Sequence, residues 1–210
     1  MMPGHQQLLE AVIFDLGGVV FDLDFPAVFH HWGEQAGVDA QLLAQRFEFD
    51  AQLSAFERGQ LSTDRYCDVL RSQLGIDLDD ATLIAGLNTI FAGLHHEVLT
   101  AIATVALEVP VYGFSNTNEV HQRHFESAFA EELAVFEHIF VSNVIGHRKP
   151  EAAAFQHVLG VLGRDPGAVL FFDDLAENVA GARAVGMRAV QVTRPHDVVS
   201  GLEGAGLLAR

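Results

Sequence analysis

Basic residues are scarce in this chain: its 210 residues include 12 Lys and Arg against 28 Asp and Glu, a formal net charge of −16. That is a poor footprint for nucleic acid or an anionic membrane, which are bound through clustered cations. An anionic substrate would need a local cation or a metal to reverse the field. Cysteine is nearly missing too. Cys67 is the only one, so no intrachain disulfide can form, which suits a reducing cytoplasm. Its neighbourhood, Asp64 to Leu70, reads as helix, so Cys67 is expected to be a small packed residue. No apolar run approaches the roughly 20 residues of a membrane span. Met1 to Glu10 lacks a basic segment followed by an apolar one, so no signal peptide is expected.

Half of the residues are hydrophobic, which excludes a disordered chain. At this length roughly 70% of the unfolded surface can be buried without staples. Strand-like runs stand at 11–15, 109–115, 138–142, 168–173 and 187–192. Helical patterns lie between most of them, at 95–107, 119–129, 151–162 and 175–185. That alternation predicts an α/β fold, a parallel sheet flanked by helices with right-handed crossovers. The stretch from Phe25 to about Leu94 breaks the rhythm. It has no convincing strand and several amphipathic helical patterns, with starts at Ser62-Thr63-Asp64 and Asp79-Asp80 and a stop at Gly75. The division expected is a core of residues 1–22 and 95–210 with a helical cap, residues 23–94, inserted after the first strand. So placed, the insertion can act as a lid.

Four strand ends carry the chemistry. Asp15 closes the apolar run Ala11-Val12-Ile13-Phe14 and opens Leu16-Gly17-Gly18-Val19-Val20. A buried parallel strand would deliver that carboxylate to the C-terminal edge, where ligands of open α/β sheets gather. It can serve there as nucleophile, base or metal ligand. The second segment ends in Ser115-Asn116-Thr117-Asn118 just before a helix. Ser115 and the backbone N–H groups around Asn116 could bond a phosphoryl oxygen, although Ser, Asn and Thr are also ordinary helix caps. In the third, Arg148-Lys149-Pro150, Lys149 could neutralise a carboxylate and a phosphate together, and Pro150 fits the first turn of the next helix. The fourth is Phe171-Phe172-Asp173-Asp174. Two adjacent acids on an apolar strand repel and lose hydration, costs that a hard cation such as Mg²⁺ relieves. Asn178 lies one helical turn after Asp174.

In this order the segments resemble the four motifs of the haloacid dehalogenase (HAD) superfamily of aspartyl-nucleophile phosphohydrolases, with a small helical cap after the first motif. More closely they resemble the bacterial α-D-glucose-1-phosphate phosphatase group and, more distantly, the phosphatase domain of bifunctional epoxide hydrolases. The resemblance implies a Rossmann-like core and a Mg²⁺-dependent hydrolase acting on a small phosphorylated metabolite, such as a sugar phosphate. It implies Asp15 as nucleophile and Lys149 as its charge partner, with Ser115, Asn116, Gly17 and Gly18 around the phosphoryl group. Asp15, the carbonyl of Gly17 and Asp174 would hold Mg²⁺, supported by Asp173 and Asn178. A cytoplasmic monomer or homodimer is expected.

One departure stands out. Most phosphatases of the superfamily carry a second acid two residues after the nucleophile, where this chain has Gly17. General acid–base catalysis contributes roughly 10²–10⁴-fold. A good leaving group would offset the loss, and the hemiacetal hydroxyl of a sugar 1-phosphate is one. Asp22, Asp24, His30 and His31 are candidate substitutes, each with an ordinary turn, cap or helix-face reading beside it. His121 and His124, spaced i, i+3, read as an exposed helix face, and Trp32, Phe47, Phe49 and Phe56 read as core or pocket lining. Three other outcomes stay open: a hydrolytic 2-haloacid dehalogenase of the same fold, a non-catalytic regulatory member, and a phosphomutase.

Overall fold

The computed structural model describes residues 8–209; most of the segment read for a leader lies outside that range. The chain runs β1 (Ala11–Phe14), β2 (Phe21–Leu23), α1 (Phe25–Ala36), α2 (Ala40–Arg46), α3 (Ala51–Glu57), α4 (Thr63–Leu74), α5 (Asp80–Asn88), β3 (Phe91–Leu94) and α6 (His96–Val105). It continues through β4 (Val111–Ser115), α7 (Glu119–Ala128), α8 (Ala130–Leu133), β5 (His138–Val141), α9 (Ser142–Ile145), α10 (Ala152–Leu162), β6 (Val169–Asp173), α11 (Ala176–Ala184), β7 (Arg188–Gln191) and α12 (His196–Ala205).

Five strands form one parallel sheet in the order β5-β4-β1-β6-β7. The chain leaves β1 for β4 and β5 on one side, then returns to β6 and β7 on the other. A crevice forms at the C-terminal end of such a switch point. Strand side chains alternate between faces, and the core divides accordingly. Val12 and Phe14 join Val98, Ile102 and Leu202 in one buried cluster, while Ala11 and Ile13 join Phe155 and Val158 in another. The Phe14 and Phe172 rings stack at 5.1 Å across β1 and β6.

Helices α1–α5 surround a third cluster that includes Trp32, Phe56, Tyr66, Leu70 and Leu83. Their starts follow from single acids. Asp24, Asp39, Asp50 and Asp79 each accept backbone N–H groups at the first turn of α1, α2, α3 and α5, each cap contributing about 1 kcal/mol. Trp32 donates its Nε1–H to the Leu83 carbonyl at 3.1 Å and lies against Gly86, where a Cβ would come within 2.1 Å of Nε1. Cys67 is buried inside α4, and burial pushes its thiol up to about 11.

Three details correct the sequence reading. The stretch from Phe25 to Leu94 does hold a strand: the helix that starts at Asp80 stops at Asn88, and Phe91–Leu94 pairs antiparallel with Phe21–Leu23. Residues 51–57 form a helix, α3, that no sequence pattern marked, and Glu57 ends it. Pro150 sits before Glu151, the N-cap of α10, and not inside its first turn. Among the described residues no helix is long and apolar enough to cross a membrane.

Candidate active site

The four segments converge at the C-terminal edge of the sheet. Asp15 follows β1 directly, its backbone N–H held by the Phe172 carbonyl at 2.8 Å and its Oδ1 accepting the Leu16 N–H at 2.8 Å. Lys149 reaches in from the loop before α10 and is 1% exposed. Its ammonium has three protons and three close acceptors: Asp15 Oδ1 at 2.8 Å, Asp173 Oδ2 at 2.7 Å and the Phe114 carbonyl at 2.7 Å. Burial pulls Lys149 down, but Asp15 and Asp173 outweigh it, and the net direction is up. Burial raises Asp15, with Lys149 opposing and Asp173 and Asp174 reinforcing the shift. One cation thus serves three acids, leaving the cluster short of positive charge.

Oxygen atoms of Asp15, Asp173 and Asp174 lie within 4.8 Å of one another. Those of Asp173 are spent. Oδ2 meets Lys149, and Oδ1 accepts from Leu175 N and Asn178 Nδ2, both at 2.9 Å. Asp15 and Asp174 therefore have oxygen to offer a cation, whereas Asp173 and Asn178 hold the arrangement in place. Asp174 is half-buried, and burial and the Asp173 charge raise it. Gly18 makes room for it. Its φ is +75°, and a Cβ there would stand 2.7 Å from Asp174 Oδ2, so both backbone and space require glycine. The donor set is all oxygen and anionic, which fits Mg²⁺.

Ser115 and Asn116 stand beside this group. The Asn116 side chain is engaged with the Lys149 backbone, donating to Lys149 O and accepting from Lys149 N, both at 2.8 Å. It positions Lys149, and its backbone is what remains for a ligand. The Ser115 hydroxyl has only a long 3.5 Å contact to Asn116 O. Asn118 is the cap of α7. Ser142 is a residue that sequence reasoning missed. Fully buried, it accepts from Thr117 N at 2.8 Å and donates to Thr117 O at 2.9 Å, clamping the loop after β4.

Two cavities adjoin the edge. A small one, about 50 Å³, is lined by Gly17, Ser115, Asn116 and His121. It shares Leu23, Ile90, Asn116 and His121 with a larger one, about 170 Å³, between the sheet edge and α1–α5. Trp32, Phe47 and Phe49 line the larger cavity, whereas Phe56 stacks on Tyr66 at 4.3 Å in the helical core.

His121 does not lie on an exposed face. Its Nε2 faces the Leu87 carbonyl at 3.1 Å and its Nδ1 faces Asn118 Nδ2 at 3.1 Å. The ring is neutral, with Nε2 carrying the proton, and burial pushes it down to about 4. Of the candidate acids, Asp24 is a helix cap, Asp22 and His30 are exposed, and His31 is half-buried; none lines either cavity. Glu57 does line the larger one. It pairs with Arg148 at 2.8 Å, and a second ion pair, Arg58–Glu151, runs alongside. Both tie α3 to the loop that carries Lys149.

Residues 9–186 match the haloacid dehalogenase-like hydrolase family. The chain is 28% identical over 197 residues to drimenol cyclase drtB of Aspergillus calidoustus, covering 91% of this chain and 35% of that protein; it thus spans about a third of the cyclase's length. It is 27% identical over 193 residues to sesquiterpene phosphatase astK of Aspergillus oryzae, covering 88% of this chain and 90% of that one. Its fold matches that of the HAD family enzyme bt-2542 of Bacteroides thetaiotaomicron, solved with magnesium and inorganic phosphate. The TM-score is 0.76 at 23% identity over 87% of this chain and 93% of that one.

Proposed function

This chain belongs to the haloacid dehalogenase-like hydrolases, and from that starting point we propose that it is a Mg²⁺-dependent phosphatase with Asp15 as nucleophile. The observation that carries the reading is the Asp15–Lys149–Asp173 arrangement, 2.8 and 2.7 Å from the ammonium, with Asp174 beside it. The near full-length relative named as a phosphatase supports it.

Asp15 attacks phosphorus, the P–O bond to the alcohol breaks, and an aspartyl-phosphate forms; water then releases phosphate and restores Asp15. Lys149 balances charge on Asp15 and the transferring group. The Ser115 hydroxyl and the N–H groups around Gly17 and Asn116 hold phosphoryl oxygens, the Gly18 N–H being engaged by the Phe21 carbonyl at 2.9 Å. Phosphoryl transfer asks the protein chiefly for such positioning and charge stabilisation. Asp15, the Gly17 carbonyl and Asp174 would hold Mg²⁺, and the ion would supply the missing positive charge that lets a carboxylate approach a phosphate dianion. No side-chain acid at Gly17 protonates the alcohol, so water does. We take residues 23–94 as the cap over the site, and the protein as a cytoplasmic monomer or homodimer acting on a small phosphorylated metabolite. A sugar phosphate such as α-D-glucose 1-phosphate meets the leaving-group demand set by Gly17; nothing in the cavity wall adds to that support.

The test is phosphate release from p-nitrophenyl phosphate and a panel of phosphate esters, with Mg²⁺ and with EDTA, for wild type and Asp15→Asn. Release that needs both Mg²⁺ and Asp15 is the expected result. Turnover of a 2-haloacid without metal would instead favour the dehalogenase, and the Asp173–Asp174 pair speaks against that outcome.

A further inference from the structure

The larger cavity holds more than the chemistry at Asp15 uses. Its volume, about 170 Å³, is close to that of an apolar protein cavity of roughly 150 Å³ that stays dry and takes up benzene. Five aromatic side chains form one continuous series along it. Ring centroids lie 6.0 Å apart from Trp32 to Phe29, 5.5 Å from Phe29 to Phe47, 5.3 Å from Phe47 to Phe49 and 6.3 Å from Phe49 to Phe25. Trp32 is fully buried at the inner end, while Phe25 and Phe49 are 46% and 77% exposed at the outer end. The rings therefore run from solvent to the core of α1–α5, and the cavity they line reaches the phosphoryl site at Asn116.

Most polar side chains along the same wall are already committed; the Tyr66 hydroxyl and the second Glu57 carboxylate oxygen are the exceptions. Asn116 bonds the Lys149 backbone, Asn118 and His121 bond each other, His121 also meets Leu87 O, and Glu57 pairs with Arg148. A sugar buried here would find partners for only one or two of its hydroxyls and would desolvate the rest, which is unfavourable. A hydrocarbon gains from the same burial.

We propose that the alcohol esterified to phosphate is apolar: a ring or branched chain of about six carbons fills the cavity, and any longer tail leaves past Phe25 and Phe49. The inference rests on the phosphatase reading for its chemistry, but its binding component stands apart from turnover.

A series of n-alkyl phosphates from ethyl to octyl tests it, because all have the same kind of leaving group and differ only in apolar surface. With Mg²⁺, kcat/KM should rise about fourfold per methylene until the cavity is full. A flat series overturns the proposal. Binding is read separately in Asp15→Asn with Mg²⁺, from the fluorescence of Trp32, the only tryptophan. Octyl phosphate should saturate at far lower concentration than glucose 1-phosphate, and equal or tighter sugar binding overturns the proposal. Octyl phosphate binding in a protein that cleaves no ester, p-nitrophenyl phosphate included, would sink the phosphatase reading and leave the apolar subsite standing. Phe49→Asp, at an exposed position that folding tolerates, should flatten the rise beyond butyl; an unchanged rise counts against the rim.

Discussion

The Lys149 ammonium lies 2.8 Å from the Asp15 carboxylate, with neither side chain more than 9% exposed. Removing the cation leaves buried acids uncompensated. Lys149→Met should cost about 3–5 kcal/mol of stability and about 10²–10³-fold in turnover. Adding Asp173→Asn should return part of the stability and none of the activity. Denaturant melts with phosphate-release assays check both, and equal recovery of the two would refute separate roles.

The raised carboxyls make metal binding and pH interdependent. Between its ordinary value of 3.8 and its higher native value, Asp15 holds a proton in the fold that the unfolded chain has lost. Stability of the metal-free protein therefore falls as pH rises through that window. Mg²⁺ requires deprotonated ligands and restores what is lost. The gain in Tm from Mg²⁺ should be larger at about pH 8 than at about pH 5.5, and Asp174→Asn should abolish most of it. A pH-independent gain would contradict the assignment.

His121 works in the opposite sense. Burial holds it near 4, below its ordinary 6.5, so the unfolded chain binds the extra proton first. Stability is complete above 6.5 and declines as pH drops toward 4. His121→Gln keeps polar contacts without titrating, and the difference between its melting curve and the wild type's should vary with pH only in that window.

Gly17→Asp restores an acid at the departed position. A Cβ there meets only the Leu23 Cδ1 end at 3.0 Å, which can yield. Hydrolysis of alkyl phosphates should increase, by up to about 10²-fold, while p-nitrophenyl phosphate, whose leaving group needs no proton, should change little. Parallel gains on both would point away from proton transfer.

Two helical glycines should respond with opposite signs to alanine. Gly160, in α10, has open space around its would-be Cβ, so Gly160→Ala should stabilise by about 0.5–1 kcal/mol. Gly86, in α5, would drive a methyl to 2.1 Å from Trp32 Nε1. Gly86→Ala should destabilise despite the better helix propensity, by about 1–3 kcal/mol. Thermal melts decide each.

β1, β4 and β6 were legible because their buried runs are nearly continuous and each ends in a polar cluster, and β5 and β7, only partly buried, were legible from the strand–helix alternation. Asp15, Asp173 and Asp174 stood out because charge at the end of an apolar run has few structural explanations, and Lys149 because basic residues are scarce in this chain. The β2–β3 pair was not legible. β2 has three residues, and Phe91 extends the apolar pattern of α5 unbroken. His121, Ser142 and Glu57 were hidden because their roles depend on partners far along the chain: Leu87, Thr117 and Arg148. No local spacing announces such partners. The aromatic series was half legible. Phe47 and Phe49 were candidates, but that Phe25 and Phe29 connect them to Trp32 is a fact of packing.

The loop that delivers Lys149 also carries Arg148 and Glu151, and their partners Glu57 and Arg58 close α3 over the aromatic cavity. The roof and Lys149 thus hang on one tether. On the proposed reading, lifting the roof to let an alcohol escape would break both pairs or drag the loop, so that exit and idling would become a single event. Salt screens these pairs, so ionic strength should act on how often the door opens rather than on what happens behind it.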